Sequence, residues 1–508
     1  MKRFAKQALL AGCLALCAFG GTPRSPLGVY AYLGVKESIH RYNQNLKEDP
    51  CAPVNDAKVT SPENYLVCVF QNLLKNDAVS GIALWEDWAH LNPNPPGSPN
   101  DYDWSLMDDL FTQVSDWNSK HSSFPPKTVQ LVPTPGFNSP DWVKNKLFSC
   151  NFLFGAGIIP PPGRACGKVT FSGFVEGGWD QATHTPIAED LPLPWDPTYK
   201  AAWQTLLTAL NARYGSRSTL VSISVAGPSS SSEEMMLPGT KDTKNAAQIG
   251  GFTPEEMWEK LLEYQYSDST YYNCDKAFIE EWENAINMYG SIFSDITLIM
   301  TTGGALPHLA ETGFTVPPAL TAGCPQPDMD CAAETTILAY FMESTVGGAN
   351  AKATQTDGMK ADGSTKNNIG VPLVKLISYS TDLYTSPSKR ILGGSQFAQS
   401  FSMFPVKEGS NKKFSNPSAE QAEFNVLSWF FEDTGEGSYF GTKGLAERGD
   451  NGSDPLNYVQ VNALDVIYAS ANASKEVPVE MNGTSTKISA QNLLNLASEA
   501  LGYIAEKP

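Results

Sequence analysis

The sequence predicts an α/β fold, a closed (β/α)8 barrel of the TIM type with long loop insertions at the C-terminal face of the strands. Three observations carry that expectation. Short apolar, β-branched runs recur eight times from end to end, helix-like amphipathic stretches separate them, and Pro-, Gly- and Cys-rich inserts follow several runs.

The runs are 27–33, 79–85, 128–133, 220–226, 296–301, 351–356, 390–395 and 458–463. Each is four to eight residues long and bounded by Gly, Pro or Asn, as strands are. Between them, 103–114 repeats apolar residues at three and four, and 199–214, 276–289 and 418–431 repeat the pattern. A doubly wound open sheet would announce a Gly-rich phosphate turn after its first strand, and the run LGVYAYLGV is not G-x-G-x-x-G. The inserts at 145–195 and 302–335 leave strand C-terminal ends, where barrel enzymes build their clefts. The barrel is expected over 27–470, followed at 471–508 by a polar segment and a closing helix near Ala490–Ala497.

The chain has 508 residues, 41% of them apolar, with eleven tryptophans, which is ample for a large core. Its net charge of −18 disfavours nucleic acid as a partner. The N-terminus, MKRFAKQALLAGCLALCAFGG, places basic residues before an apolar run too short to span a bilayer, which predicts a signal peptide over 1–20 and a secreted or periplasmic product. Leu10-Ala11-Gly12-Cys13 resembles a bacterial lipobox, so a lipid anchor at Cys13, on the bacterial envelope, is the alternative. No later segment is apolar enough to be a transmembrane helix.

Export makes the cysteines readable as loop staples: Cys51 with Cys68, Cys150 with Cys166, and Cys324 with Cys331, leaving Cys274 odd. The five histidines are scattered and no C-x-x-C or H-E-x-x-H occurs, so neither metal nor cofactor is expected. Three Asn-x-Ser/Thr triplets, at Asn451, Asn472 and Asn482, match the glycosylation pattern.

The fourth run leads into VAGPSSSSEEMMLP, which sets Glu233 and Glu234 just past a strand end. Glycoside hydrolysis needs one carboxylic acid to protonate the leaving oxygen and a second carboxylate to attack carbon or activate water. An exposed acidic pair opening a helix is the competing interpretation. Trp85, Trp88, Trp142 and Trp179 cluster near the same strand exits, and flat rings of this kind stack on sugars.

VSGIALWEDWAHLNP followed by YDWSLMD, then TPGFNSPDWV, then WDPTYKAAW with ARYG, resembles the secreted glycoside hydrolases of the large retaining clan, nearest in flavour to family 42 β-galactosidases. The likeness spans roughly residues 27–240. It implies an acid/base glutamate at the end of strand four and a nucleophile glutamate at the end of strand seven. This chain departs from both patterns: Ser232 and Glu233, not Asn, precede Glu234, and ILGGSQFAQ offers amides where the nucleophile belongs. Gln396 there can hold a hydroxyl but cannot attack. The partner of Glu234 is then Asp357, Glu86, Asp87, Glu432 or Glu436.

The expected activity is cleavage of glycosidic bonds in an oligo- or polysaccharide. The alternatives are a non-catalytic carbohydrate-binding barrel that lost its nucleophile, and a structural surface protein.

Overall fold

The structure is a computed structural model that describes residues 24–45, 47, 49–174, 187–239, 251–267, 271, 275–302, 306, 307, 309, 333, 336–338, 340, 341, 352–359, 391–397, 457–474, 476–481, 484–501 and 503. Its strands are β1 (Gly28–Gly34), β2 (Val79–Asp87), β3 (Thr128–Thr134), β4 (Lys168–Ser172), β5 (Ala188–Pro192), β6 (Leu220–Ser224), β7 (Thr297–Thr302), β8 (Lys352–Met359), β9 (Ile391–Phe397), β10 (Tyr458–Asn462), β11 (Glu476–Met481) and β12 (Thr484–Ser489). Each of the eight expected runs falls on one of these.

Eight of them pair in parallel in the order β1, β2, β3, β6, β7, β8, β9, β10, and β10 bonds back to β1 to close the ring. Parallel strands need apolar cover on both faces, and β1 shows it, buried from Gly28 through Leu33. Inside the ring, Tyr30, Tyr32, Ala83, Val221, Ile299, Ala353 and Tyr458 form a small core of their own. The larger core lies between the strands and the helices.

The helices are α1 (Val35–Gln44), α2 (Pro62–Lys75), α3 (Trp88–Leu91), α4 (Ser105–Lys120), α5 (Asp141–Lys144), α6 (Pro197–Tyr214), α7 (Pro254–Gln265), α8 (Lys276–Ile292), α9 (Ala463–Ala471) and α10 (Ala490–Ala500). Their starts are set by local chemistry. The Asp196 carboxylate caps the N–H groups of Thr198 and Tyr199 with Pro197 at the first helical position, and Thr253 with Glu256 forms a capping box before α7. The stretches expected at 103–114, 199–214 and 276–289 lie on α4, α6 and α8. The one at 418–431 lies outside the described residues, as do the N-terminal leader with Cys13 and the Cys324/Cys331 pair.

Two segments each carry a β-hairpin that the sequence pattern does not announce. Within 145–195, β4 and β5 form an antiparallel hairpin beside the Cys150–Cys166 disulfide, and β5 packs on the turn at Gly136–Asn138. In 471–508, the polar segment is the β11–β12 hairpin, and α10 behind it packs against β1. Gln491 in α10 and Asn76 exchange amide hydrogen bonds at 2.9 Å each way, which fastens the end of the chain to the approach to β2. Cys51–Cys68 is a second disulfide.

At this end of the barrel, the ammonium of Lys127 is fully enclosed. It donates to the carbonyls of Asn76 at 2.7 Å and Val79 at 2.5 Å and sits 4.6 Å above the Trp117 ring. Burial lowers its pKa to about 7.

Candidate functional site

The opposite end, where the strands exit, gathers the polar side chains. Along β2 successive residues face opposite ways, so Trp85 and Asp87 share one side and Glu86 takes the other. The Asp87 carboxylate accepts a hydrogen bond from the Thr134 hydroxyl at 3.0 Å. Burial raises its pKa, opposed by the charge of Lys36 and the Thr134 bond, while Glu189 pushes it further up. From Thr134 the chain of bonds continues. The Asn138 amide donates to the Thr134 hydroxyl and to the carbonyl of Ser231, both at 3.0 Å. The exits of β2, β3 and β6 are thereby joined within three residues of Glu234.

The stretch 227–237 is a tied loop, not a linker. Phe137 donates its N–H to the carbonyl of Ser230 at 2.6 Å, Ser230 donates to Met236 and Met236 to Glu234, each at 2.7 Å. The Ser229 hydroxyl bonds the carbonyl of Ser232, and the Ser232 hydroxyl accepts from the N–H of Glu234 at 3.2 Å. Gly136 is what lets β3 and this loop meet. Its φ is +68°, and an added Cβ would stand 2.1 Å from the Ser230 carbonyl oxygen.

The two glutamates differ in place. Glu233 is fully buried, and its charge helps raise the pKa of the Tyr289 and Tyr458 phenols behind burial itself. Glu234 is partly exposed and its backbone bridges Thr301 at the end of β7. Below them the barrel interior is an amide and phenol floor. Gln460 donates to Gln130 at 2.8 Å, and the Tyr458 hydroxyl donates to Gln355 at 2.9 Å.

Glu86, on the other side of β2, meets Nδ1 of His90 at 2.5 Å. Burial raises its pKa to about 7, and the hydrogen bond to Glu86 raises that of His90 to about 9. This carboxyl is turned away from Asp87 and belongs to the α3 side of the strand.

The aromatic expectations divide. Trp85 is half-buried at the β2 exit, 6.1 Å from the Tyr32 ring. Trp142 is half-buried too, its N–H on the carbonyl of Asn92 and Lys146 4.7 Å over its ring. Trp88 is fully buried among Trp142, Tyr199 and Trp203, so it builds the α3–α6 packing and presents no ring face at the opening. Asp357 lies within β8 and Gln396 within β9 opposite Gln460, with side chains outside the described residues, as is the whole of Trp179.

Residues the sequence did not single out complete the exit. Lys144 bonds the Phe137 carbonyl and Glu189, both at 2.7 Å, and thereby pins the β5 strand of the insert beside the mouth. Thr134 and Asn138 stand in the stretch TPGFNSPDWV, but only the register of β2 against β3, with Asp87 opposite Thr134, gives them a role.

No protein-family model matches the chain, and no curated protein does. Among solved structures it is similar to the catalytic domain of β-amylase from Paenibacillus polymyxa, with a TM-score of 0.38 and 11% identity over 87% of this chain and 94% of that one. It is also similar to endo-glycoceramidase II from Rhodococcus sp., with a TM-score of 0.29 and 9% identity over 74% of each chain. A β-galactosidase from Rahnella sp. R3 follows, with a TM-score of 0.26 and 9% identity over 76% of this chain and 40% of that one.

Proposed function

We propose that this protein is an exported glycoside hydrolase with a (β/α)8 barrel, acting on an oligo- or polysaccharide held at the strand exits. The observation that carries the proposal is the joining of two carboxylate-bearing exits. Asp87 of β2 and the loop bearing Glu234 belong to one hydrogen-bonded assembly through Thr134 and Asn138. Glu234, partly exposed, is the proton donor, and Glu233 lies buried behind it. Asp87 is the second carboxylate, favoured over Glu86 because strand alternation puts Glu86 on His90. Asp357 stays the alternative partner from β8.

In chemical terms, Glu234 gives a proton to the leaving glycosidic oxygen while Asp87 attacks the anomeric carbon or removes a proton from water. A carboxylate separation of roughly 5 Å gives retention and about 6.5–9.5 Å gives inversion. The raised pKa of Asp87 suits proton abstraction nearer neutrality than an ordinary aspartate allows. Trp85 and Trp142 supply the stacking surfaces.

The test is hydrolysis of aryl glycosides and polysaccharides by wild type, Glu234→Gln, Asp87→Asn and Asp357→Asn. Loss of an acid/base group should lower kcat by roughly 10²–10⁴-fold. Equal turnover by wild type and Glu234→Gln removes Glu234 from the chemistry, and a full loss in Asp357→Asn with none in Asp87→Asn transfers the second role to β8. The absence of a carboxylate from ILGGSQF favours one other interpretation, a barrel that binds sugar without cleaving it. Saccharide binding by wild type with no turnover on any substrate would establish it.

A further inference from the structure

The insert after β3 carries a feature that the candidate cleft does not use. Residues 155–163, GAGIIPPPG, form a projecting finger whose residues are exposed except for Pro160. Ile158 and Ile159 are 86% and 73% exposed, against 49% for the next most exposed large apolar residue, Val54. Single surface isoleucines are ordinary, but two adjacent ones held this far out are not a by-product of loose chain. The finger is built: the Cys150–Cys166 disulfide closes its base, and the buried Pro160 seats one side. Glycines at positive φ, Gly155, Gly157 and Gly163, turn the backbone at both ends.

Its chemistry is equally one-sided. No side chain from Gly155 to Gly163 can form a hydrogen bond. The three prolines bring no N–H, and the N–H groups of Gly155, Ala156 and Arg164 bond to carbonyls within the insert. The side chains of such a segment therefore lose no hydrogen bond on leaving water.

Around the base the residue types change to those that favour a water–lipid boundary. Arg164 stands 5.0 Å over the Phe148 ring, and Lys260 stands 4.9 Å over Phe252. Tyr264 is 42% exposed and packs edge-on against Phe152. Cations and tyrosines in a collar beneath an aliphatic tip are arranged as anchors at headgroup depth, with long stems along apolar rings and charges in water. We propose that this finger seats the protein on a lipid surface, with Ile158 and Ile159 in the acyl boundary and Arg164, Lys260 and Tyr264 among the headgroups. A protein pocket is the less favoured partner, since the tip has no polar group to fix its register there.

The net charge of −18 opposes anionic membranes, so the lipid chosen for the test is zwitterionic. Purified protein is floated with phosphatidylcholine vesicles at low salt and at about 1 M salt, where surface charge attraction is screened. Wild type should rise with the vesicles at both, and the double variant Ile158→Asp, Ile159→Asp should bind about tenfold or more weakly, since two apolar side chains leave the boundary. Both positions are exposed, so the unfolding temperature should stay put. Wild type left in the soluble fraction overturns the proposal, as does equal flotation of the variant. Association between copies without vesicles, lost in the variant, would assign the tip to a second copy and overturn it too.

Discussion

Gly136→Ala isolates the contact on which the candidate cleft depends. Two costs arise at this position. Alanine at φ +68° is strained, by about 1–2 kcal/mol. Its methyl carbon would also lie 2.1 Å from the carbonyl oxygen of Ser230 and 2.4 Å from that of Ser229. Both are backbone atoms of a loop fixed by its own hydrogen bonds, so neither yields as a flexible side chain would, and overpacking adds about 1–3 kcal/mol. The sum is about 2–5 kcal/mol. An unfolding entropy of about 2.1 cal/mol/K per residue makes about 1.1 kcal/mol/K for a chain of 508 residues, so the apparent Tm should fall by about 2–5 °C. Gly155→Ala is the control, with φ +79° and nothing within 4 Å of the added carbon, so it carries the strain without the clash. Calorimetry or circular dichroism of both variants separates the two costs. Equal losses in Gly136→Ala and Gly155→Ala would refute the view that β3 and the Glu234 loop are in forced contact.

Two further outcomes concern the buried Lys127 and the buried Glu86 with its exposed partner His90. Lys127 has a folded pKa of about 7, below its ordinary value, so the folded state holds fewer protons than the unfolded chain above pH 7. Stability from this group should rise as pH climbs from about 7 towards the ordinary lysine range, and Lys127→Met should flatten that rise in urea titrations taken at several pH values. For Glu86 and His90 the sign is reversed, because both folded values are raised, to about 7 and about 9. The folded pair holds extra protons from the carboxylate range up to about pH 9, so its contribution to stability falls as pH rises through that window. In NMR titrations His90 should protonate near pH 9 in wild type and move back towards an ordinary histidine in Glu86→Gln; an unmoved His90 would break the link.

The ring was legible because its cause is local. Runs such as 79–85 and 458–463 must cover both faces of a parallel strand, which leaves short stretches rich in apolar and β-branched residues with only isolated polar ones, Ser80, Gln460 and Asn462. The β4–β5 hairpin was not legible: AEDLP and KVTFS are too short and too mixed to stand out, and side-chain pairing such as Lys168 with Asp190 at 2.8 Å supports them. Glu233 and Glu234 were visible as an acidic pair, but which of them lies open and which is enclosed depends on Tyr289, Tyr458 and Thr301 from distant elements. Glu86 and Asp87 are neighbours in sequence, and one step of strand alternation sends them to separate surroundings. Trp88 misled for the same reason, since a tryptophan just past a strand can turn either to the opening or into the helix layer.

The closing seam of the ring has a temporal side. β1 is hydrogen-bonded both to β2 and to β10, and α10 with its Gln491–Asn76 amide pair lies against the same place. A chain synthesised from its N-terminus therefore keeps one edge of β1 unpaired until residue 458 has been made, and lacks the amide lock until residue 491. From the making of β1 to the making of β10 the sheet is open, with one receptive strand edge, and the ring can seal only once the last of its eight strands has emerged.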